Sequence, residues 1–204
     1  MSVRSCSTPT RVAGSLACTP PRRSPRRFSE HHHSTLAEFL DSTYCAAMST
    51  QRQSIADRLE QLGIVLPPPM PPAGNYVPCF VDDDVVYVGG HGPVAGDIIM
   101  RGKVGGDLTL EQGQEAARMC ALSMLATLDA ELGSLDVVDS IMKVYGMVNV
   151  APGFNRTPAV IDGCSNLLTD VFGEAGRHTR SAVGLAELPF GIAVEIELTA
   201  QLKP

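Results

Sequence analysis

The densest chemistry in the chain lies near its C-terminal end, in Thr179-Arg180-Ser181-Ala182-Val183-Gly184-Leu185-Ala186-Glu187-Leu188-Pro189 and then Val194-Glu195-Ile196-Glu197. A guanidinium gives a planar, two-pronged match to a carboxylate, and a carboxylate can orient water or carry a proton. Alternation puts Arg180 on one strand face with the small residues Ala182, Gly184 and Ala186, which leave room for a ligand or a subunit contact. Glu195 and Glu197 share a face of the last strand, with Val194, Ile196 and Leu198 on the other. Taken alone, a strand-borne carboxylate near a guanidinium is more often a structural ion pair than a site.

A second constellation is Gly89-Gly90-His91-Gly92, which follows a β-rich run. No helix opens there and no Lys-Ser/Thr pair follows, so a phosphate cradle is not indicated. The backbone N–H groups of Gly89 and Gly90 are open to a ligand because no side chain blocks them. His91 is either a ligand contact or proton donor, or a satisfied loop histidine. Asp82-Asp83-Asp84 lacks the spacing of a calcium loop and reads as a turn. None of the six cysteines forms a CxxC pair, and there is no HExxH or GxSxG. The expectation is therefore no metal and no cofactor, with free thiols packed as small hydrophobes in a reducing compartment.

The elements that position these residues follow from periodicity. Thr50 and Gln53 fit a capping box ahead of Ile55, Leu59 and Leu62 on one helical face, with Gly63 as the stop. Five prolines between Pro67 and Pro72 then enforce an extended strap. Val77–Phe80 and Val85–Gly89 read as strands, and Ile98–Val104 as a third. A second capping box, Thr109 with Gln112, opens a helix striped by Ala117, Cys120, Met124 and Leu128 and closed by Gly133. Asp139–Val150 alternates, with Met142, Val144, Gly146, Val148 and Val150 on one face. A second long helix carries Val160, Cys164, Leu167, Leu168 and Val171 before Gly173, and Ser181–Glu187 and Ala193–Ala200 are the last strands. The fold class is thus α+β: a mixed sheet of five or six strands, two long helices on one face, and an N-terminal helix. Self-association is the expected cover for the other face in so small a domain.

Composition divides the chain. Residues 1–48 carry six Arg against Glu30, Glu38 and Asp41, so the remainder holds ten Lys/Arg against 19 Asp/Glu, a net charge of −9. An acidic body argues against nucleic acid as a partner, and no apolar run is long enough to span a membrane. The acid-free, Arg- and Ser-rich stretch 1–29 has the composition of a mitochondrial transit peptide, although Pro9, Pro20, Pro21 and Pro25 oppose the usual helix. A cytoplasmic protein starting at Met48, or a plain tail, stays open. The divisions are 1–48, a disordered or targeting extension; 49–74, helix and strap; and 75–204, the main domain.

From about Leu62 onward the chain resembles the RidA family, also called YjgF-type or endoribonuclease L-PSP-like. The Arg-Ser-x-Val-x-x-x-x-Leu-Pro and Val-Glu-Ile-Glu ending is its most specific signature. Asn75-Tyr76-Val77 is similar to its tyrosine segment, and Tyr87-Val88-Gly89-Gly90-His91-Gly92-Pro93 to its SGQ-x-P strand end. The resemblance implies a chorismate-mutase-like fold and a homotrimer with clefts between subunits. It further implies cofactor-free hydrolysis of reactive enamine/imine acids such as 2-aminoacrylate to 2-keto acids and ammonia. By the same resemblance, Arg180 holds the substrate carboxylate, Glu195 orients water and Tyr76 lines the cleft; the open backbone of Gly89 and Gly90 and the side chain of His91 are expected as further substrate contacts there. Gly89 in place of serine, His91 in place of glutamine, Ala182 in place of cysteine and an altered loop at 149–154 mark a divergent subgroup.

Three functions stay open: that deamination, which retention of both Arg180 and Glu195 favours; binding of a small carboxylate metabolite without turnover; and ribonuclease or translation inhibition, which the acidic body and absence of Trp disfavour. Deleting residues 1–47 is expected to leave fold and activity intact, since that segment lacks periodicity and caps. Urea denaturation checks this; a loss of several kcal/mol would show that the extension packs on the domain.

Overall fold

The computed structural model describes residues 53–204. The expectations for the Arg-rich extension, its targeting role, the Thr50 cap and the three N-terminal cysteines lie outside the described residues.

Helix α1 (Ile55–Gln61) is capped by Ser54, whose hydroxyl accepts the Asp57 N–H at 3.1 Å; Gln53 precedes the cap instead of entering the helix. The helix stops as the Ile64 N–H reaches back to the Leu59 carbonyl (2.9 Å) and the Gly63 N–H to that of Glu60 (2.9 Å). Two contacts tie α1 to the domain: the Ile55 N–H donates to the Asp136 carboxylate (2.8 Å) and Arg58 Nε to the Asp170 carbonyl (2.7 Å). The proline strap follows without helix or strand.

Strands β1 (Cys79–Asp82) and β2 (Val85–His91) form a hairpin across Asp83, which takes a left-handed φ of 53° that aspartate tolerates better than most residues. β1 starts two residues later than the hydrophobicity suggests, because Pro78 has no N–H to give the ladder. The run expected as a third strand is instead a separate two-stranded hairpin, β3 (Val94–Ala95) and β4 (Ile98–Ile99), followed by a loop with positive φ at Gly102 and Gly105. The main sheet therefore has five strands.

Helix α2 (Leu110–Leu132) begins with the reciprocal Thr109–Gln112 box and ends at Gly133. Strand β5 (Val138–Asn149) leads to α3 (Thr157–Phe172), which crosses to β6 (Thr179–Leu185) parallel to β5, and the chain finishes in β7 (Val194–Leu202). The strand order is β1-β2-β7-β5-β6, all other pairs being antiparallel. This is a mixed α+β architecture with the last strand at its centre.

Both long helices cover one face, where Val86, Val88, Val144, Val148, Ile196 and Leu198 meet Cys120, Met124, Leu128, Ile161, Cys164 and Leu168. Cys79, Cys120 and Cys164 are free, buried thiols; burial pushes Cys164 up to about 12, out of reach of thiolate chemistry at neutral pH. A register shift between Ile141 and Lys143 makes the β5 alternation slip, so Ile141 is buried and Met142, expected inward, is exposed. The opposite face is mixed: Phe80 and Tyr87 stand beside Thr199 and Lys143, and Tyr145 beside Glu197.

The two helices approach closely at Gly163. A Cβ there would collide with the Gln114 carbonyl of α2, and Gln114 Nε2 donates to the Ala159 carbonyl at 2.9 Å beside it. Gly163→Ala is therefore expected to cost at least about 2 kcal/mol, because the obstruction is backbone that cannot rotate away. Urea denaturation measures it; an unchanged midpoint would contradict this packing.

Candidate active site

Glu195 sits on β7 between the inward Val194 and Ile196, so its side chain leaves the sheet on the face opposite the helices. Its side chain leans diagonally over Gly90 of β2. A Cβ at Gly90 would overlap Glu195 Oε1, so the missing side chain is what lets the carboxylate lie across the strand. Gly90 reaches that face through a bulge: Val88 pairs with Leu198 and His91 with Ile196, leaving Gly89 and Gly90 opposite Glu197 alone.

A cavity of about 520 Å³ opens beside this carboxylate, bounded by Tyr76, Gly90, Arg101, Phe190, Ile192 and Glu195. Tyr76 comes from the strap, where its hydroxyl accepts the Ala73 N–H at 3.1 Å and folds the segment over the ring. Arg101 comes from the loop after β4. Its Nε donates to the Phe190 carbonyl at 3.1 Å, across a bridge that pairs Arg101 with Ile192. The same loop is pinned by Lys103, whose ammonium reaches Asn149 Oδ1 and Glu187 Oε1, each at 3.0 Å, and the Ala186 carbonyl. Among the described residues, no group hydrogen-bonds the Glu195 carboxylate, and no three His, Cys, Asp or Glu side chains gather to hold a metal ion. Burial, and next the charge of Glu197, push the Glu195 carboxyl above its ordinary value.

The structure gathers Tyr76, Gly90 and Glu195 of the residues expected from sequence, and separates the others. Arg180 pairs with Val144 in the β5–β6 ladder, on the helix-covered face, whereas Glu195 pairs with Met147 on the opposite one. Within one chain, strand β5 and the thickness of the sheet therefore lie between the two. Arg180 Nη1 donates to Asp162 Oδ1 and Ser165 Oγ, each at 2.9 Å, and Nη2 to the Pro158 carbonyl at 3.1 Å, all on α3. The small residues beside it make room for that helix: Thr157 Oγ1 donates to the Ala182 carbonyl at 3.0 Å, and a Cβ on Gly184 would meet Val150 and Thr157.

Of the two readings of His91, the structure matches the satisfied histidine and not the ligand contact. The bulge turns it into the core, 1% exposed, where Nδ1–H donates to the Gly89 carbonyl (2.8 Å) and Nε2 accepts from Thr127 Oγ1 (2.8 Å). Burial pushes its pKa down, which keeps the ring neutral and away from the cavity. Gly89 is likewise engaged, since its N–H donates to the Pro78 carbonyl at 3.0 Å. Arg101 lines the cavity without having been expected from sequence. It carries no motif, and the Phe190 carbonyl that positions it is 89 residues away.

A carboxyl that titrates higher folded than unfolded favours the fold in acid and subtracts from stability as pH rises through its folded value. Glu195→Gln is therefore expected to raise the melting temperature at pH 7, by a margin that shrinks toward about pH 4, where the unfolded carboxyl also binds a proton. Calorimetry across that range checks the sign; a variant less stable at pH 7 would contradict a strained, unpartnered carboxylate.

With this geometry in view, relatives fall into place. The family model described as "YjgF/chorismate mutase-like, putative endoribonuclease" matches residues 56–202. Protein TCP17 of Trypanosoma cruzi is 43% identical over 152 residues, covering 72% of this chain and 94% of that protein. The crystal structure of Atu1372 from Agrobacterium tumefaciens, a protein of unknown function, is 38% identical with a TM-score of 0.67, covering 79% of this chain and 98% of that one. A Shewanella oneidensis structure described as a "putative endoribonuclease" is 31% identical with a TM-score of 0.71, covering 73% of this chain and 99% of that one. The family match takes in all five strands of the main sheet and both long helices, and the chain belongs to the YjgF/chorismate mutase-like family.

Proposed function

We propose that the chain hydrolyses small imine or enamine carboxylic acids to 2-keto acids and ammonia, without a cofactor, in the cavity beside Glu195. The observation that carries this reading is the Glu195 carboxylate itself. It is half-buried, lies over Gly90, has no protein hydrogen-bond partner among the described residues, and has its pKa raised toward the range useful to a general base.

The chemistry asks little else of the protein. An enamine takes a proton on carbon to become the iminium, whose C2 is already electrophilic. Glu195 orients a water and accepts its proton as the oxygen bonds to C2, giving a carbinolamine. The proton then passes to nitrogen, the C–N bond breaks, and the 2-keto acid leaves with ammonium, so iminium plus water balances keto acid plus ammonium. Positioning supplies the rate, with Tyr76 and Ile192 forming part of the cavity wall. A homotrimer packed through the face that bears Phe80, Tyr87 and Tyr145 belongs to this reading, since burying those side chains against copies removes apolar area from water.

Imino acids generated in place by an amino-acid oxidase, with ammonia release followed against the uncatalysed rate, test the proposal. Wild-type protein is expected to accelerate release, and Glu195→Gln to lower kcat by roughly 10²–10⁴-fold with the fold retained. No acceleration by stable wild-type protein overturns it. A carboxylate that binds without turnover would leave a metabolite-binding protein, and RNA cleavage lost in Glu195→Gln would replace deamination by nuclease activity.

A further inference from the structure

The strap between α1 and β1 has a geometry of its own. Proline fixes φ and confines the residue before it to extended backbone. In Leu66-Pro67-Pro68-Pro69-Met70-Pro71-Pro72 every residue is a proline or precedes one. The whole run is driven toward polyproline II, a helix of about three residues per turn without internal hydrogen bonds. Burial keeps that period. Ile64, Pro67 and Met70 are half-buried, Ile64 against the core and Met70 at the cavity wall, whereas Val65, Pro68 and Pro71 are exposed, as are Pro69 and Pro72. Leu66 adds one further core contact where the strap begins. One edge of this three-sided helix thus rests on the domain, and the other two face outward.

The outward edges carry chemistry that the domain leaves unused. Pro68-Pro69 and Pro71-Pro72 are two proline pairs in the same phase, one helical turn apart. Successive pairs of a polyproline II ligand at this spacing fill neighbouring pockets between the aromatic rings of a recognition groove. Among the described residues, no carbonyl from Val65 to Ala73 accepts a hydrogen bond, which leaves these carbonyls open to the polar tips of such rings. Val65, 89% exposed, continues the same apolar surface. The strap is already extended, so docking orders little backbone. Charge narrows the partner further. No Asp, Glu, Lys, Arg or His lies between Gln61 and Asp82, so a groove that demands an arginine or lysine beside the prolines finds none.

We propose that the strap is a docking ligand for a partner domain with an uncharged, aromatic-walled polyproline groove. The groove takes Pro68-Pro69 and Pro71-Pro72, while Ile64, Pro67 and Met70 stay on the domain and hold the strap in register. Purified profilin serves as the probe, because its polyproline groove is aromatic and needs no flanking charge. The fluorescence of its groove tryptophan reports binding cleanly, since this chain contains no Trp.

The full wild-type chain is expected to bind profilin saturably with a Kd below about 1 mM, and decaproline to displace it. Pro68→Ala/Pro71→Ala should weaken binding at least about tenfold, with the fold retained because both side chains face solvent. An SH3 domain with an acidic specificity pocket should bind at least about tenfold more weakly than profilin. No saturable binding by wild-type protein, equal binding by the folded double variant, or failure of decaproline to compete would each overturn the proposal. SH3 binding as tight as that of profilin would overturn it too, since the groove would then not be selected by lack of charge. A wild-type chain that ignores profilin but sediments as a larger species than Pro68→Ala/Pro71→Ala would give the outward edges to a second copy of this chain, again contradicting it.

Discussion

Two glycines of β2 face a single residue of β7, and much of the molecule turns on that mismatch. Without the bulge, the alternation that buries Val86 and Val88 would bury Gly90 next and send His91 outward. With it, His91 enters the core and closes a hydrogen-bonded link from the Gly89 carbonyl to Thr127 of α2. Gly90 moves to the opposite face, where its lack of a side chain admits the Glu195 carboxylate. One extra residue thus ties the sheet to its covering helix on one side and makes room for a carboxylate on the other. The histidine and the glutamate that sequence reasoning places in one cleft end on opposite faces for the same reason.

The large elements were legible because their signals are local. The Thr109–Gln112 box, the stripe from Ala117 to Leu128 and the stop at Gly133 all lie within one helix, and each is realised in α2. Strand boundaries were legible to within about two residues, except that the run expected as Ile98–Val104 stops at Ile99, where the glycine-containing loop at Gly102 and Gly105 replaces it. What sequence could not supply is the relative phase of neighbouring strands. Arg180 and Glu195 each alternate correctly within their own strands, yet the ladders through β5 set them on opposite faces. Arg101 was illegible for a related reason: its meaning depends on Phe190, far away in the chain.

The resemblance to a deaminase family carries the fold, and within one chain Arg180 and Glu195 lie on opposite faces of its sheet. The Arg180 guanidinium serves as a clamp between β6 and α3, with Asp162 neutralising its charge and Ser165 relaying to His178. Such a partly buried pair contributes more to fixing how the helix sits than to net stability. The opposite face places a different guanidinium near the carboxylate, in an apolar cavity shaped by the strap, the β3–β4 hairpin and the turn at Phe190.

The central claim is that the Glu195 carboxylate, raised in pKa by burial over Gly90, is the group that handles the proton. The pH dependence of kcat/KM for imino-acid hydrolysis, measured on wild type and Glu195→Gln, addresses it most directly. The account predicts an acid limb in the wild type that lies above the ordinary carboxylate value, coincides with the titration of Glu195 followed by carbon NMR, and is missing from the residual activity of Glu195→Gln. An acid limb that persists unchanged in Glu195→Gln would assign the proton to another group and contradict it.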